Sequence, residues 1–164
     1  MNEYRTSGIF RLPNQFATET LGKRLAETAE RGDVIFLHGN LGIGKSVLAR
    51  AFIRAYCQTD EDIPSPTFNL VQNYDMGAAP VFHFDLYRLK SEEEVWELGV
   101  EEAFADGISL IEWPERLGNW LPINRLEILI MPGNEEKSRK IRLTGFGNWS
   151  TRVAENFGSG TKNA

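Results

Sequence analysis

The segment that most constrains the fold of this chain is residues 34–46, which read VIFLHGNLGIGKS. The apolar run at its start predicts a buried strand, and the residues after the glycine-rich turn predict a helix. Glycines let such a turn aim successive N–H groups at phosphate oxygens, and the N-terminus of the helix adds positive potential. This arrangement is a P-loop in its required setting, so we predict an α/β fold of the P-loop NTPase type, with three layers around a mixed parallel and antiparallel sheet.

The P-loop supplies the first set of candidate site residues. Lys45 is expected to contact the β- and γ-phosphates from a largely solvent-facing position and to contribute to catalysis, while the Ser46 hydroxyl is a candidate Mg²⁺ ligand. The alternative is a glycine-rich turn that binds nothing. The four fixed positions and the strand–loop–helix context disfavour this alternative. The expected phosphate cradle comprises Gly39, Asn40, Leu41, Gly42, Ile43, Gly44, Lys45, Ser46 and Val47.

Hydrophobic periodicity predicts one domain over residues 1–145. A short strand over residues 8–12 precedes a helix capped by Asn14. Two alternating segments, 68–74 and 81–85, predict an antiparallel hairpin, and two more at 125–131 and 140–144 predict another.

Two weaker features complete the prediction of secondary structure. Ser91 and the glutamates after it have the pattern of a capping box that opens a short helix. The periodic pattern is lost at the C-terminus, where we expect residues 146–164 to form a partly disordered tail.

Two carboxylates end predicted strands and are candidates for the chemistry. Glu112 closes strand 108–112, the more uniformly apolar of the two, as a Walker B acid does, and is therefore assigned to Mg²⁺ together with Ser46. Asp85 closes strand 81–85 and is the candidate for positioning or activating water. The sequence leaves open that the two roles are exchanged, or that either acid makes only a loop hydrogen bond.

Two further residues are candidates with strong structural alternatives. Thr67 follows two prolines that stiffen its loop, and it could meet the γ-phosphate as a catalytic switch threonine or simply form a turn. Trp113 could pack over the nucleotide or belong to the core. The two histidines, His38 and His83, are interpreted as structural because they form no ligand cluster.

Composition excludes several classes of function. The formal net charge of −5 and the lack of a basic patch argue against stand-alone nucleic-acid binding, so any RNA role is expected to be indirect. The single cysteine, Cys57, rules out an internal disulfide and suits a reducing compartment. No stretch approaches the roughly 18 apolar residues of a membrane span, and the N-terminus has no leader pattern, so we expect a cytoplasmic protein.

Four motifs together resemble the TsaE (YjeE) family of bacterial ATPases required for threonylcarbamoyladenosine modification of tRNA. They are the P-loop, SPTFNLV at 65–71, HFDLYRL at 83–89 and EWPE at 112–115, in the order and spacing of that family. The resemblance covers about residues 9–144. It implies Mg-ATP in the loop, Ser46 and Glu112 as metal ligands, and Asp85 as the essential catalytic carboxylate.

The same resemblance implies features that the local pattern does not reveal. It places Gln15 and Thr18 near the adenine and names the TsaD and TsaB proteins as partners. Two positions depart from the commonest family pattern: Asn40 stands where aspartate is usual, and Ser46 where threonine is usual. Serine can ligate Mg²⁺ equally well, whereas Asn40 removes a negative charge.

Other functions remain open from the sequence. A P-loop also serves small-molecule kinases, although those need an arginine-rich lid and the arginines here are scattered. A GTPase is disfavoured because the Asn-Lys-x-Asp guanine-reading motif is missing from the sequence. A nucleotide-gated assembly factor would use ATP binding without needing hydrolysis. The sequence contains no arginine whose context marks it as an arginine finger, so we expect slow hydrolysis that partners accelerate.

Overall fold

The computed structural model describes residues 4–66 and 69–158. The strands within these ranges are β1 (Tyr4–Thr6), β2 (Phe10–Leu12), β3 (Val34–His38), β4 (Val71–Tyr74), β5 (Val81–Asp85), β6 (Ile108–Glu112), β7 (Arg125–Pro132) and β8 (Arg139–Phe146). The helices are α1 (Gln15–Thr28), α2 (Lys45–Cys57), α3 (Glu93–Glu97), α4 (Val100–Asp106) and α5 (Asn148–Phe157), and a 3₁₀ turn spans Pro114–Leu117.

All the strands join one mixed sheet with the order β1-β8-β7-β3-β6-β5-β4, and β2 also pairs with β8. The P-loop strand β3 lies in the middle and is parallel to both of its neighbours, β6 and β7. Strand β5 extends the parallel part beyond β6, while β4 and β8 run antiparallel at either side. Because parallel strands end at one edge, the carboxyl ends of β3, β6 and β5 meet there.

Helices cover both faces of the sheet, which explains why β3 is apolar from Val34 to Leu37. Its residues alternate between two cores. Ile35 and Leu37 pack with residues of α1, α2 and α5, whereas Val34 and Phe36 pack with residues of α3 and α4. The three-layer α/β architecture and the mixed sheet that the sequence predicted are therefore confirmed.

The N-terminal helix is fixed by its cap and by close packing. The Asn14 side chain accepts a hydrogen bond from the Ala17 N–H at 3.0 Å, as predicted. At Gly22, an added Cβ would lie only 2.8 Å from the Ala51 Cβ of α2. Only a residue without a side chain lets α1 approach α2 this closely, and this approach brings the start of α1 next to the P-loop.

The C-terminus differs from the expectation of a tail beginning at residue 146. Helix α5 continues the domain, with Trp149 fully buried in the core beside α1. Arg152 makes a bidentate ion pair with the buried Asp33, at 2.7 and 2.9 Å, just before the P-loop strand. The domain therefore includes residues up to at least Phe157, while residues 159–164 lie outside the described ranges.

The predicted capping box at Ser91 is wrong. Helix α3 begins at Glu93 with Glu92 as its N-cap, and no side chain caps it. The Ser91 carbonyl accepts the Glu94 N–H at 3.2 Å instead, so backbone atoms alone make the first turn.

Candidate functional site

The P-loop backbone is shaped by glycines in conformations that other residues avoid. Gly39, Gly42 and Gly44 have φ values of 148°, 78° and 123°. A Cβ on Gly39 would also lie 2.7 Å from a methyl group of Ile43 and 2.9 Å from the Ile130 carbonyl. Asn40 and Leu41 are exposed at the tip of the loop, and the loop leads directly into α2, which begins at Lys45. The loop thus combines left-handed glycines with the N-terminus of a following helix, the two features on which the predicted phosphate cradle depends.

The Lys45 side chain is buried, with a relative exposure of 4%, which corrects the expectation that it faces solvent. Its ammonium donates a hydrogen bond to the Gly39 carbonyl at 2.5 Å and lies 3.4 Å from the centre of the Trp113 ring. Burial lowers the pKa of Lys45, an effect opposed by the nearby carboxylates Glu112, Glu115 and Asp85. The structure thus places Trp113 beside the P-loop lysine, while its contact with a nucleotide stays a prediction.

Ser46 and Glu112 lie in contact, although they are far apart in the sequence. The Ser46 hydroxyl is 3.0 and 3.2 Å from the two carboxylate oxygens of Glu112, to which it donates. Glu112 is itself buried, and one of its oxygens lies 2.6 Å from Nε2 of the fully buried His83. Two donors therefore hold this carboxylate in one orientation at the end of β6.

Asp85 is the register partner of Glu112 on the neighbouring parallel strand. Its carboxylate accepts the Tyr87 backbone N–H at 3.1 Å and is partly exposed. Burial raises the pKa of Asp85, and the charge of Glu112 raises it further, while the Tyr87 N–H, His83 and Lys45 act in the opposite direction. A carboxylate with a raised pKa is a better proton acceptor than an ordinary one.

A cavity of about 640 Å³ opens beside the P-loop, and neither Asp85 nor Glu112 lines it. Gln15 and Thr18 line it from α1, so these two residues do lie next to the loop. Arg139, which no sequence motif indicates, also lines it and donates to the Ile43 carbonyl at 2.8 Å. The complete lining is Asn14, Gln15, Phe16, Thr18, Gly42, Ile43, Gly44, Val47, Glu136, Lys137 and Arg139.

Two other predicted residues have different outcomes. Thr67 lies outside the described residues, so its placement near the γ-phosphate stays a prediction. His83 was interpreted as purely structural, yet it contacts the predicted metal ligand Glu112. The signal available in the sequence was its position two residues before Asp85, which puts both side chains on one face of β5.

Comparison with known proteins identifies the group to which the chain is related. The model of the family "Threonylcarbamoyl adenosine biosynthesis protein TsaE" matches residues 12–141. The chain belongs to the TsaE family. A TsaE protein of Rickettsia felis is 40% identical over 126 residues, which cover 77% of this chain and 74% of the relative. One from Bacillus subtilis is 35% identical over 140 residues, covering 85% of this chain and 86% of the relative.

The fold agrees with this assignment to the TsaE family. The crystal structure of Bacillus subtilis YdiB superposes with a TM-score of 0.74 at 29% sequence identity, covering 96% of this chain and 95% of that one. The predicted resemblance is thereby confirmed.

Among the described residues, no three His, Cys, Asp or Glu side chains are grouped so as to hold a metal ion, and no helix is long and apolar enough to cross a membrane.

Proposed function

We propose that this TsaE family member is a Mg²⁺-dependent ATPase of the cytoplasm that supports threonylcarbamoyladenosine modification of tRNA together with TsaD and TsaB proteins. The observation that carries the proposal is the contact between Ser46 and Glu112 at the end of the P-loop, with Asp85 next in register. This arrangement supports the proposal because it brings the predicted phosphate cradle, two candidate oxygen ligands and a candidate base to one edge of the sheet.

The residues present fit a magnesium ion. Mg²⁺ prefers oxygen ligands and is usually held by one or two carboxylates together with substrate phosphates. The Ser46 hydroxyl and the Glu112 carboxylate, already in mutual contact at 3.0 Å, would hold it. Bound Mg²⁺ would neutralise charge on the β- and γ-phosphate oxygens.

The chain's own side chains would divide the remaining work. The P-loop N–H groups would orient the phosphates, and Lys45 would exchange its hydrogen bond to Gly39 for a phosphate oxygen. Asp85 would orient a water molecule and accept its proton, a role that its raised pKa favours. The cavity lined by Gln15, Thr18 and Arg139 would receive the base and sugar.

Hydrolysis by the free protein is expected to be slow. An arginine finger is worth about 10³–10⁵ in rate where a P-loop enzyme uses one. Among the described residues, Arg139 is the arginine that lines the P-loop cavity. It donates a hydrogen bond to the Ile43 carbonyl, within the loop itself. Partner proteins would supply the charge of such a finger, or would bring Thr67 to the γ-phosphate.

The test is steady-state ATP hydrolysis by the purified protein, alone and with a saturating amount of the TsaD–TsaB pair. A Lys45→Ala variant taken through the same purification measures contaminating activity. We expect a slow rate alone and a clear acceleration by the pair, both dependent on Mg²⁺. A fast rate that the pair leaves unchanged would contradict partner activation, and no rate above the Lys45→Ala background under any condition would contradict the ATPase assignment.

A further inference from the structure

An exposed aromatic face lies on the α3–α4 layer, on the opposite side of the sheet from α1 and α2. We define it as Trp96, Phe104, Trp120, Leu121 and Ile123. The Trp120 ring centre lies 4.8 Å from that of Trp96, at an interplanar angle of 71°, and 5.1 Å from that of Phe104, at 10°. Trp96, Leu121 and Ile123 are 45%, 45% and 71% exposed, so the cluster presents a large apolar surface.

Trp120 separates two hollows in the aromatic face. The first, of about 270 Å³, lies between Trp96 and Trp120 and is also lined by the carboxyl-bearing Glu92. The second, of about 480 Å³, is lined mainly by apolar residues such as Phe104 and Ile123, together with Glu101. The first hollow thus has two indoles next to a carboxylate, whereas the second is mostly hydrocarbon with one carboxylate in its lining.

The charge around the aromatic face is strongly negative. Residues 92–106, which contain α3 and α4, include seven acidic side chains and no lysine or arginine. Among the acids, Glu92, Glu97 and Glu101 are exposed on or beside α3 and α4. Such a rim repels nucleic acid and anionic membranes, and it also opposes pairing of this face with the same face of a second copy.

We propose that the aromatic face docks a protein partner through a basic amphipathic segment. A lysine or arginine of the partner enters the Trp96–Trp120 hollow, where the indole faces attract a cation and the Glu92 carboxylate can accept its hydrogen bonds. An apolar side chain one helical turn away fills the hollow beside Phe104. The proposal uses no residue of the P-loop and stands independently of ATP hydrolysis.

Nuclear magnetic resonance of the tryptophan indole N–H groups tests this docking directly, because the chain has four tryptophans in distinct settings. Trp96 and Trp120 report on the aromatic face, Trp113 on the P-loop, and the buried Trp149 on the core. The probe is a synthetic amphipathic helical peptide of leucine and arginine, and its control has every arginine replaced by glutamate.

We expect the arginine peptide to shift the Trp96 and Trp120 signals and to leave those of Trp113 and Trp149 in place. Ile123→Ser and Glu92→Gln should each weaken binding about tenfold, because each removes a contact with the peptide. Both positions are exposed and tolerate polar groups, so the variants should fold. Met76→Ser is the matched control, because Met76 is also an exposed apolar residue but lies in the β4–β5 turn.

Four results would overturn the proposal. The first is equal binding of the glutamate peptide, and the second is a set of shifts centred on Trp113. The third is weakening by Met76→Ser that equals the weakening by Ile123→Ser. Concentration-dependent shifts of Trp120 without peptide, abolished by Ile123→Ser, would likewise overturn it by assigning the aromatic face to self-association.

Discussion

Asp85 and Glu112 are two carboxylates at the same end of adjacent parallel strands, paired in register, yet their surroundings differ. Glu112 is buried, and the Ser46 hydroxyl and the His83 ring both contact its oxygens. Asp85 is partly exposed, accepts a backbone N–H from Tyr87, and has a raised pKa because of burial and the charge of Glu112. Environment, more than residue type or strand position, therefore distinguishes the two carboxylates and the two roles proposed for them.

The difference follows from what each role demands. A metal ligand works best when its orientation is fixed before the ion arrives, and second-shell donors provide that fixation. A group that orients water and accepts its proton needs access to the reacting face and a pKa closer to the working pH. Glu112 meets the first requirement and Asp85 the second.

The largest expected effect is on hydrolysis when Asp85 is changed to Asn. The amide keeps the size of the side chain but cannot accept the proton, so the ATPase rate should fall by about 10²–10⁴-fold. The affinity for ATP, measured by calorimetry, should stay within about threefold because Asp85 is not a phosphate or metal ligand in this account. Retention of a substantial rate would instead favour a role for Asp85 in the fold alone.

A smaller effect is expected from His83, which acts through Glu112. His83→Leu removes the donor and should lower Mg²⁺ affinity by about 10–100-fold, the usual range for second-shell partners of metal ligands. His83→Gln keeps an N–H donor and should recover part of that loss. His38→Gln is the matched control, since Nε2 of His38 makes a similar contact, at 2.7 Å, with Glu127 instead.

The His83 variants are measured by Mg²⁺ titration of nucleotide binding, with thermal denaturation as a second readout. If His83 positions Glu112, the Mg²⁺ affinity of His83→Leu should be lower than that of His83→Gln even when the two variants are equally stable. If the loss of Mg²⁺ affinity merely tracks the loss of stability, His83 is structural.

The smallest effect concerns the stability of the free protein as pH changes. Because the folded state raises the pKa of Asp85 above its ordinary value of 3.8, the folded protein binds that proton more tightly than the unfolded chain does. The contribution of Asp85 to stability therefore declines as pH rises from this ordinary value through the raised one. Thermal denaturation without Mg²⁺ or nucleotide should show this decline in the parent, and Asp85→Asn should lack it. If the stability of the parent and that of Asp85→Asn depend on pH in the same way, folding does not raise the pKa of Asp85.

The sequence predicted the features that depend only on residues close together in the chain, such as individual strands, helices and the glycine-rich loop. The glycine spacing of the P-loop and the apolar patterns of β3 and β6 predicted the strand–loop–helix unit and brought Ser46 and Glu112 to one edge of the sheet, as the structure shows. Their roles in binding phosphate and Mg²⁺ stay predictions. Helix α5 was missed, although Trp149, Val153 and Phe157 recur every four residues, because the polar segments around them obscured the apolar stripe.

Contacts between distant parts of the chain were not predictable in the same way. Arg139 reaches the P-loop from β8, and Lys45 folds back onto Trp113 in a buried position. Each contact depends on the order of the strands in the sheet, which one sequence does not specify. The contact of His83 with Glu112 similarly required knowing that β5 and β6 are neighbours.

The most direct test of the central claim is the Mg²⁺ dependence of nucleotide binding in Glu112→Gln and Asp85→Asn, measured by calorimetry with a non-hydrolysable ATP analogue. In Glu112→Gln, the gain in nucleotide affinity on adding Mg²⁺ should be at least about tenfold smaller than in the parent, because the ion loses its carboxylate ligand. Asp85→Asn should keep the Mg²⁺ effect of the parent. The opposite order would show that the two roles are exchanged, and an equal loss in both variants would show that the carboxylates act as one metal site.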